Sequence, residues 1–263
     1  MSTPIRITAG LYSVRLRDDM PREVTTAHWA GQHADIMRKL PHIDEYIQQQ
    51  FSATDHGYWP ATPGVGTRVP EEFRLDGYAE IRLPSIIGGI LSALHTREIM
   101  LDEQNLFRHV VGKLTGPKRG RWWPDEEGTP IPHRTAVLLR RRSGTSSRDF
   151  RRFVHDQLGP ALHEAGALDL RTYTFIPSSK LTPSSPAVAH NYPVERRIHG
   201  GLVIGAEDRS AISRMLKADA VATLTERQSE LLTAAHAYTI ERSATVIDKT
   251  VRPGAGRRRD TSR

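Results

Sequence analysis

The sequence contains no cysteine. Disulfide bonds, thiolate nucleophiles and cysteine-based zinc or iron–sulfur sites are therefore excluded. Long hydrophobic runs are also missing, so no segment is predicted to span a bilayer. The opening segment MSTPIRITAG lacks the basic-then-apolar pattern of a signal peptide. We therefore expect a cytoplasmic protein without a membrane partner.

Positive charge is in excess and is concentrated at the end of the chain. The formal net charge of the 263 residues is +7, and residues 252–263 hold five arginines against one aspartate. A tail of Gly, Pro and Arg cannot bury apolar surface, so we predict that residues 252–263 are disordered. Two further basic clusters, in residues 117–121 and 138–144, lack the regular aromatic side chains that stack on bases. No specific nucleic-acid partner is therefore predicted.

The same order of predicted elements occurs twice. Residues 117–133, rich in Pro, Gly and charge, are predicted to be a linker. On each side of them, hydrophobic periodicity predicts strand, helix, strand, strand, helix and strand. The fragments HWAGQHADIM and FVHDQLGPAL fall at matching places in the two halves. We therefore predict one repeat over residues 1–116 and a second over residues 134–251.

The βαββαβ order of each repeat is that of the ferredoxin-like split βαβ unit. Its helices cover one face of a four-stranded antiparallel sheet, so the other face needs a partner as well. Two such sheets packed face to face within one chain bury both faces. We therefore predict an α+β fold in which two tandem ferredoxin-like units form an intramolecular α/β barrel.

Two segments carry a more specific pattern. Residues 137–162, VLLRRRSGTSSRDFRRFVHDQLGPAL, contain a strand ending in basic residues, a capped turn, Phe and then Gly-Pro. This order resembles the opening of an EthD-type domain of the dimeric α/β-barrel superfamily. Residues 27–51, AHWAGQHADIMRKLPHIDEYIQQQF, carry its histidine, His33, and the preceding tryptophan, Trp29. The chain thus resembles two tandem EthD-type repeats in a dimeric-type barrel.

The resemblance implies a small flat or cyclic ligand in a cleft between sheet and helices, with the histidine of the first helix as acid or base. The superfamily includes cofactor-free monooxygenases, isomerases, cyclases and dehydratases, as well as haem enzymes. In the second repeat Leu158 replaces the histidine and Val154 the tryptophan, and in the first repeat Asp35 stands where proline is usual. At most one cleft is then expected to be competent, and a homodimer is a candidate assembly.

His33 lies on the apolar stripe of the first predicted helix. Such a histidine is either a buried structural residue with a hydrogen-bonding partner or a general acid or base suited to neutral pH. The resemblance favours catalysis by His33. His109 is the second candidate acid or base, because it lies at the entry to the fourth strand, which is beside the first strand in this fold. The residues expected to bind substrate are His28, Trp29, Met37, Tyr46 and Phe107.

No metal site is predicted. His28 and His33 are five residues apart. On an α-helix this spacing separates them by about 140°, so one ion could not easily be reached by both. No other spacing typical of zinc or haem ligands is present. We therefore expect no cofactor, with haem left open as an alternative.

These features together predict a cofactor-independent enzyme that moves a proton on a small cyclic or aromatic intermediate, as a dehydratase, cyclase, isomerase or lyase. A cofactor-free monooxygenase on the same scaffold is the first alternative. A non-catalytic small-molecule-binding or assembly protein is the second, and His33 would then be structural. A small-molecule substrate is the main partner expected.

Overall fold

The computed structural model describes residues 3–177, 185 and 187–250, so the predicted disordered tail lies outside the described residues. The first half has the predicted βαββαβ order. Its elements are β1 (Ile5–Leu16), α1 (Arg22–His28), a π-helical turn (Trp29–His33), α2 (Ala34–Arg38), β2 (Glu45–His56), β3 (Gly77–Leu83), α3 (Ile86–Ala93), α4 (Arg97–Leu106) and β4 (Phe107–Leu114).

A short strand, β5 (Gly120–Trp123), follows, and the second half then repeats the order. Its elements are β6 (His133–Arg141), α5 (Ser147–Arg152), a π-helical segment (Phe153–Leu158), α6 (Gly159–Glu164), β7 (Leu168–Thr174), β8 (Gly200–Ala206), α7 (Arg209–Lys217), α8 (Asp219–Glu226) and β9 (Leu232–Asp248). Short 3₁₀ turns cover Glu71–Phe73, Val194–Arg196 and Gln228–Glu230.

Side-chain caps fix where several helices begin. Ser85 Oγ accepts a hydrogen bond from the Gly88 backbone N–H at 3.0 Å, which starts α3. Ser146 Oγ accepts from the Asp149 N–H at 3.0 Å and starts α5. Each bond satisfies a backbone donor that has no partner within the helix. The predicted helix start at Ser146 is therefore confirmed, and the Ser146 hydroxyl also donates to the Asp149 carboxylate at 2.7 Å.

The nine strands form one sheet in the order β3-β2-β9-β6-β8-β7-β5-β1-β4, and a further pairing of β3 with β1 closes it into a barrel. Each half keeps the ferredoxin-like order of fourth, first, third and second strand. Neighbouring strands are antiparallel throughout. The predicted intramolecular barrel of two ferredoxin-like units is confirmed.

Two strands join the halves to each other. β9 pairs with β6 through its first part and with β2 through its last part, where Asp248 faces Glu45. β5 pairs with β1 and with β7, so that Trp122 faces Ile5 on one side and Arg171 on the other. β5 lies within residues 117–133, so that segment contributes a barrel strand as well as a connection. A strand of four residues is too short to show a periodic pattern in the sequence.

Alternate strand side chains fill the barrel interior. Ile7, Ala9 and Leu11 of β1 pack there with aromatic residues from both halves. Among these, Phe51 and Tyr238 stack with ring centroids 4.5 Å apart. Separate apolar cores lie under the helices of each half. In the part of the chain that the structure describes, no helix is long and apolar enough to cross a membrane.

Charged side chains are also buried inside the barrel. Arg171, 2% exposed, donates through Nη1 to Glu45 at 2.9 Å and to Glu80 at 2.8 Å. Arg82 Nη2 lies 2.7 Å from the Glu45 carboxylate. Removing one member of such a group leaves an uncompensated charge in a medium of low polarity. The group therefore constrains which substitutions the barrel tolerates.

Candidate active site

A cavity of about 400 Å³ lies between the sheet of the first half and its helices, and its walls are mostly apolar. Strands β1 to β4 form one wall, and α2, α3 and α4 contribute to the other. His33 lines this cavity. So do four of the residues that the sequence assigned to substrate binding: Trp29, Met37, Tyr46 and Phe107.

An aspartate holds His33 at the cavity wall. His33 Nδ1 lies 2.9 Å from Asp102 Oδ2, and His28 Nε2 lies 2.9 Å from Oδ1 of the same carboxylate. His33 is 4% exposed and Asp102 is 5% exposed. Asp102 belongs to α4, which packs against the π-helical turn that ends at His33. The histidine is therefore fixed between two helical segments.

α-Helical geometry predicted that His28 and His33 point in different directions, and this was wrong. Residues Trp29–His33 form a π-helical turn rather than α-helix. Hydrogen bonds in a π-helix join residues five apart, so such residues lie on one face. Both histidines thereby reach Asp102. His28 contacts this carboxylate and does not line the cavity.

The ionisation of Asp102 determines the tautomer of His33. Burial alone would raise the pKa of Asp102, but hydrogen bonds from His33 and His28 outweigh it and hold that pKa below its ordinary value. An ionised carboxylate only accepts hydrogen bonds, so Nδ1 of a neutral His33 carries the proton. The lone pair of Nε2 is then free. In this tautomer Nε2 of His33 can accept a proton.

Aromatic side chains surround the histidine. The rings of Trp29 and Phe107 meet at 90° with centroids 5.5 Å apart, and Phe107 lies 6.0 Å from the His33 ring. Gln48 Nε2 donates to the Tyr46 hydroxyl at 3.2 Å. Burial raises the pKa of Tyr46 to about 12. The phenol is therefore protonated at neutral pH and can donate to a ligand oxygen.

An acidic residue next to Asp102 lines the cavity. Glu103 follows Asp102 on α4, and its carboxylate accepts a hydrogen bond from Ser185. Burial raises the pKa of Glu103, which favours its protonated form relative to an exposed glutamate. Neither acid was predicted from the sequence, since LDEQNLF reads only as a charged helix end. The adjacent Asp-Glu pair was the one available signal.

His109, the second candidate acid or base, lies elsewhere. Its ring stacks on Tyr192 with centroids 5.8 Å apart, and it lines a different cavity from His33. Burial lowers the pKa of His109, and the positive charges of Arg108 and Arg15 lower it further. The structure therefore does not bring the two candidate catalytic histidines together.

The corresponding position in the second half is packed with apolar side chains. Leu158, which replaces the histidine, is fully buried in the second-half core. The next residue, Gly159, lies so close to Trp123 that an added Cβ would be 2.8 Å from the tryptophan ring. The expectation that only one half offers a competent cleft stays a prediction, and this packing supports it.

The second half also contains a histidine that the sequence did not single out. His155 Nδ1 lies 2.7 Å from the Thr172 hydroxyl, and its Nε2 lies 2.9 Å from the Thr174 hydroxyl. Burial lowers the pKa of His155 to about 3. Both ring nitrogens of His155 are hydrogen-bonded and the ring is neutral. His155 is therefore an example of a structural histidine in this fold.

The described lining fits haem poorly. His33 Nε2 could serve as an axial ligand, but the propionates of haem need cationic partners. None of the described residues lining this cavity is an arginine or a lysine. In the same described part of the chain, no group of three His, Asp or Glu side chains could hold a metal ion. The lining instead suits an uncharged organic molecule.

No family model and no curated protein matches this sequence. Similar solved structures include a "putative monooxygenase" from Fusobacterium nucleatum subsp. nucleatum ATCC 25586, with a TM-score of 0.55 at 7% identity over 91% of this chain and 92% of that chain. A "putative monooxygenase" from Lactobacillus acidophilus NCFM gives 0.55 at 8% identity over 94% and 97%. An "anthrone oxidase-like protein" gives 0.55 at 8% identity over 94% and 96%. At these identities the similarity shows the fold, which is the dimeric α/β barrel.

Proposed function

We propose that this protein is an enzyme that removes a proton from a small cyclic or aromatic substrate, with His33 as the base. The observation that carries the proposal is the His33–Asp102 pair at the wall of an apolar cavity. In a purely structural histidine such as His155, both ring nitrogens are engaged. In His33 the bond to Asp102 engages Nδ1 and leaves Nε2 for a ligand.

The cavity lining supports an uncharged substrate with a C–H bond made acidic by an adjacent or conjugated carbonyl group. Trp29 and Phe107 offer aromatic surface to a flat ring. The Tyr46 hydroxyl can donate to the carbonyl oxygen, where negative charge develops as the proton leaves carbon. Glu103, whose pKa is raised by burial, is our candidate for returning a proton to a different atom. Such a return would complete an isomerisation, a cyclisation or an elimination.

A cofactor-free monooxygenase is the second candidate. Here the same deprotonation comes first, and the resulting carbanion reduces dioxygen, so that one oxygen atom enters the product and the other leaves as water. The names of the similar structures, two of a "putative monooxygenase" and one of an "anthrone oxidase-like protein", favour this outcome. Their similarity to this chain extends to the fold, and His33 would serve either reaction.

Anthrone is a suitable probe because its methylene protons lie opposite a ring carbonyl. The rate at which deuterium from D₂O replaces these protons without oxygen measures proton abstraction alone. We expect the wild type to accelerate exchange over buffer, and His33→Asn to lose about 10²–10⁴-fold, the range for a general base. His95→Asn, at an exposed histidine of the same half, is the matched control.

Oxygen uptake by the same samples in air separates the two reaction classes. Uptake coupled to exchange favours the monooxygenase, and exchange without uptake favours the isomerase or lyase. Exchange as fast in His33→Asn as in the wild type would refute the role of His33. Anthrone binding without any exchange would favour the non-catalytic binder.

We also propose that the chain is related to EthD-type domains and that its two repeats cover residues 1–116 and 134–251. A π-helical segment occurs at the same place in both halves, at Trp29–His33 and at Phe153–Leu158. Such segments are rare in proteins, so their recurrence supports descent of both halves from one unit. The homodimer remains a prediction.

A further inference from the structure

A second cavity, of about 520 Å³, opens at one mouth of the barrel. Both halves line it at equivalent positions. Arg15 near the end of β1 pairs with His109 of β4, and Arg140 near the end of β6 pairs with Ala234 of β9. The cavity therefore lies across the pseudo-twofold axis that relates the two repeats. It is separate from the cavity of His33.

Arginines dominate the lining of this second cavity. The charged residues that line it are Arg15, Arg74, Arg108, Arg140 and Arg196, with Glu71 and Glu72. Arg15 and Arg74 each pair with Glu71, and Arg108 pairs with Asp18. These three guanidinium groups are at least partly neutralised by protein carboxylates.

The other two arginines are less directly compensated. Burial lowers the pKa of Arg140, and the charge of Glu195 offsets this in part. Arg196 Nη1 donates to the Glu72 backbone oxygen at 2.9 Å. Within the described part of the chain, Arg140 and Arg196 form no salt bridge. Their guanidinium carbons lie 4.8 Å and 5.0 Å from the centroid of the Phe73 ring. Both guanidinium groups thus contact one aromatic ring, and the positive charge of Arg196 also acts on Arg140. An anion within reach of both would relieve this repulsion.

Buried polar atoms around this cavity also lack partners. Arg108 Nε, His109 Nδ1, Arg140 Nε and the Tyr192 hydroxyl are buried and make no hydrogen bond in the described structure. Buried polar atoms in proteins nearly always bond to protein, to water or to a ligand. Four unsatisfied atoms around one cavity therefore point to a polar species that binds there.

Two histidines line the cavity beside its arginines. Burial lowers the pKa of His109, with contributions from three surrounding arginines, and burial with the charge of Arg140 lowers the pKa of His236 to about 4. Both rings are therefore neutral at pH 7. They can hydrogen-bond to a ligand without adding positive charge.

We propose that this cavity binds a small organic carboxylate. The carboxylate group binds Arg140 and Arg196, since guanidinium and carboxylate match in charge and geometry. The organic part packs on the apolar residues Leu75, Leu138 and Ile198, which also line the cavity. A bare inorganic anion would leave that apolar surface uncovered, so it is expected to bind less tightly.

Calorimetric titration at constant ionic strength tests the proposal, with benzoate as the probe and benzyl alcohol and inorganic phosphate as comparators. We expect benzoate to bind the wild type more tightly than either comparator. Arg140→Gln and Arg196→Gln should each weaken benzoate binding about tenfold or more. Arg152→Gln, at an exposed arginine elsewhere, should leave it unchanged. Met37→Trp, which fills the cavity of His33, should also leave it unchanged.

Several results would overturn this assignment. Equal affinity for benzyl alcohol would show that the charge is irrelevant, and equal affinity for phosphate would show that the organic part is irrelevant. Unchanged benzoate affinity in both Arg140→Gln and Arg196→Gln, with folding verified by circular dichroism, would place the ligand elsewhere. Loss of benzoate binding in Met37→Trp would move it to the first cavity.

Discussion

Asp102→Asn preserves the shape of the side chain but replaces one carboxylate oxygen by an amide nitrogen. The native carboxylate accepts one hydrogen bond from His28 and one from His33. An asparagine can accept with its oxygen, but its nitrogen must donate. The histidine that faces the amide nitrogen must therefore present an unprotonated nitrogen. If that histidine is His33, its proton moves to Nε2 and the base is lost.

The structure sets the size of the effect. The carboxylate is 5% exposed, so solvent screens it little. Asp102→Asn replaces two hydrogen bonds to a charged group by two between neutral groups, which destabilises the fold. It also removes the desolvation cost of the buried charge, so the net decrease in the free energy of unfolding should be about 1–3 kcal/mol. Loss of the base should slow anthrone exchange by about 10²–10⁴-fold.

The pH dependence of stability gives a second signature of Asp102. Its folded-state pKa is lower than that of an unfolded aspartate, so the carboxylate stabilises the fold at neutral pH. This contribution is lost as the pH falls through the folded-state pKa. The unfolding free energies of wild type and Asp102→Asn should therefore converge in acid.

Urea titration measures the free energy of unfolding. Deuterium exchange of anthrone measures the rate of proton abstraction, and ¹⁵N NMR of the imidazoles identifies the tautomer. Asp35→Asn is the matched control, because Asp35 is an exposed acid on α2, two residues after His33. It should change stability by less than about 0.5 kcal/mol. Two results for Asp102→Asn would refute the reasoning. One is the native His33 tautomer without anthrone exchange, and the other is an altered tautomer with full exchange.

Three further predictions concern buried charge and packing, each measured by urea titration. Arg171→Met should lower the free energy of unfolding by about 3–5 kcal/mol, because it leaves buried glutamates uncompensated, whereas the exposed Arg152→Met should change it by less than about 1 kcal/mol; similar effects would contradict this. The pKa of His155 is about 3 against an ordinary 6.5, so the unfolded chain binds a proton that the folded chain excludes. Stability should thus fall as pH drops through this window, and His155→Gln should reduce the slope by up to about 1.4 kcal/mol per pH unit; an unchanged slope would mean that the ring is charged in the fold. In Gly77→Ala the new Cβ would lie 2.3 Å from a carbonyl oxygen of β2, costing about 1–3 kcal/mol or more. The helical Gly31→Ala, which meets nothing within 4 Å, should instead gain about 0.5–1 kcal/mol, and equal signs would refute the packing argument.

The repeated pattern of the sequence was sufficient to predict the barrel. Alternation in the strands and the capped helix starts occur in both halves, and a four-stranded sheet with one uncovered face has few ways to bury it. β5 could not be predicted in this way. Its residues become a strand only because β1 and β7 offer free edges on both sides.

The candidate site could be predicted only in part. The helical stripe correctly grouped His33 with Trp29 and Met37 at one cavity wall. The π-helical turn could not be read from hydrophobic spacing, and this one change of helical period reversed the expected orientation of His28. Asp102 comes from a helix distant in sequence, so its position depends on tertiary packing that no local pattern encodes.

The strand pairings that join the two halves limit how such a chain can evolve. The last part of β9 completes the edge of β2, and β5 completes the edge of β7. A chain cut within residues 117–133 would leave exposed strand edges on both pieces, and exposed edges invite aggregation. We therefore expect the pieces to be recoverable in soluble form only when produced together. The two halves should therefore be inherited together, because loss or transfer of one would leave the other with an unpaired strand edge.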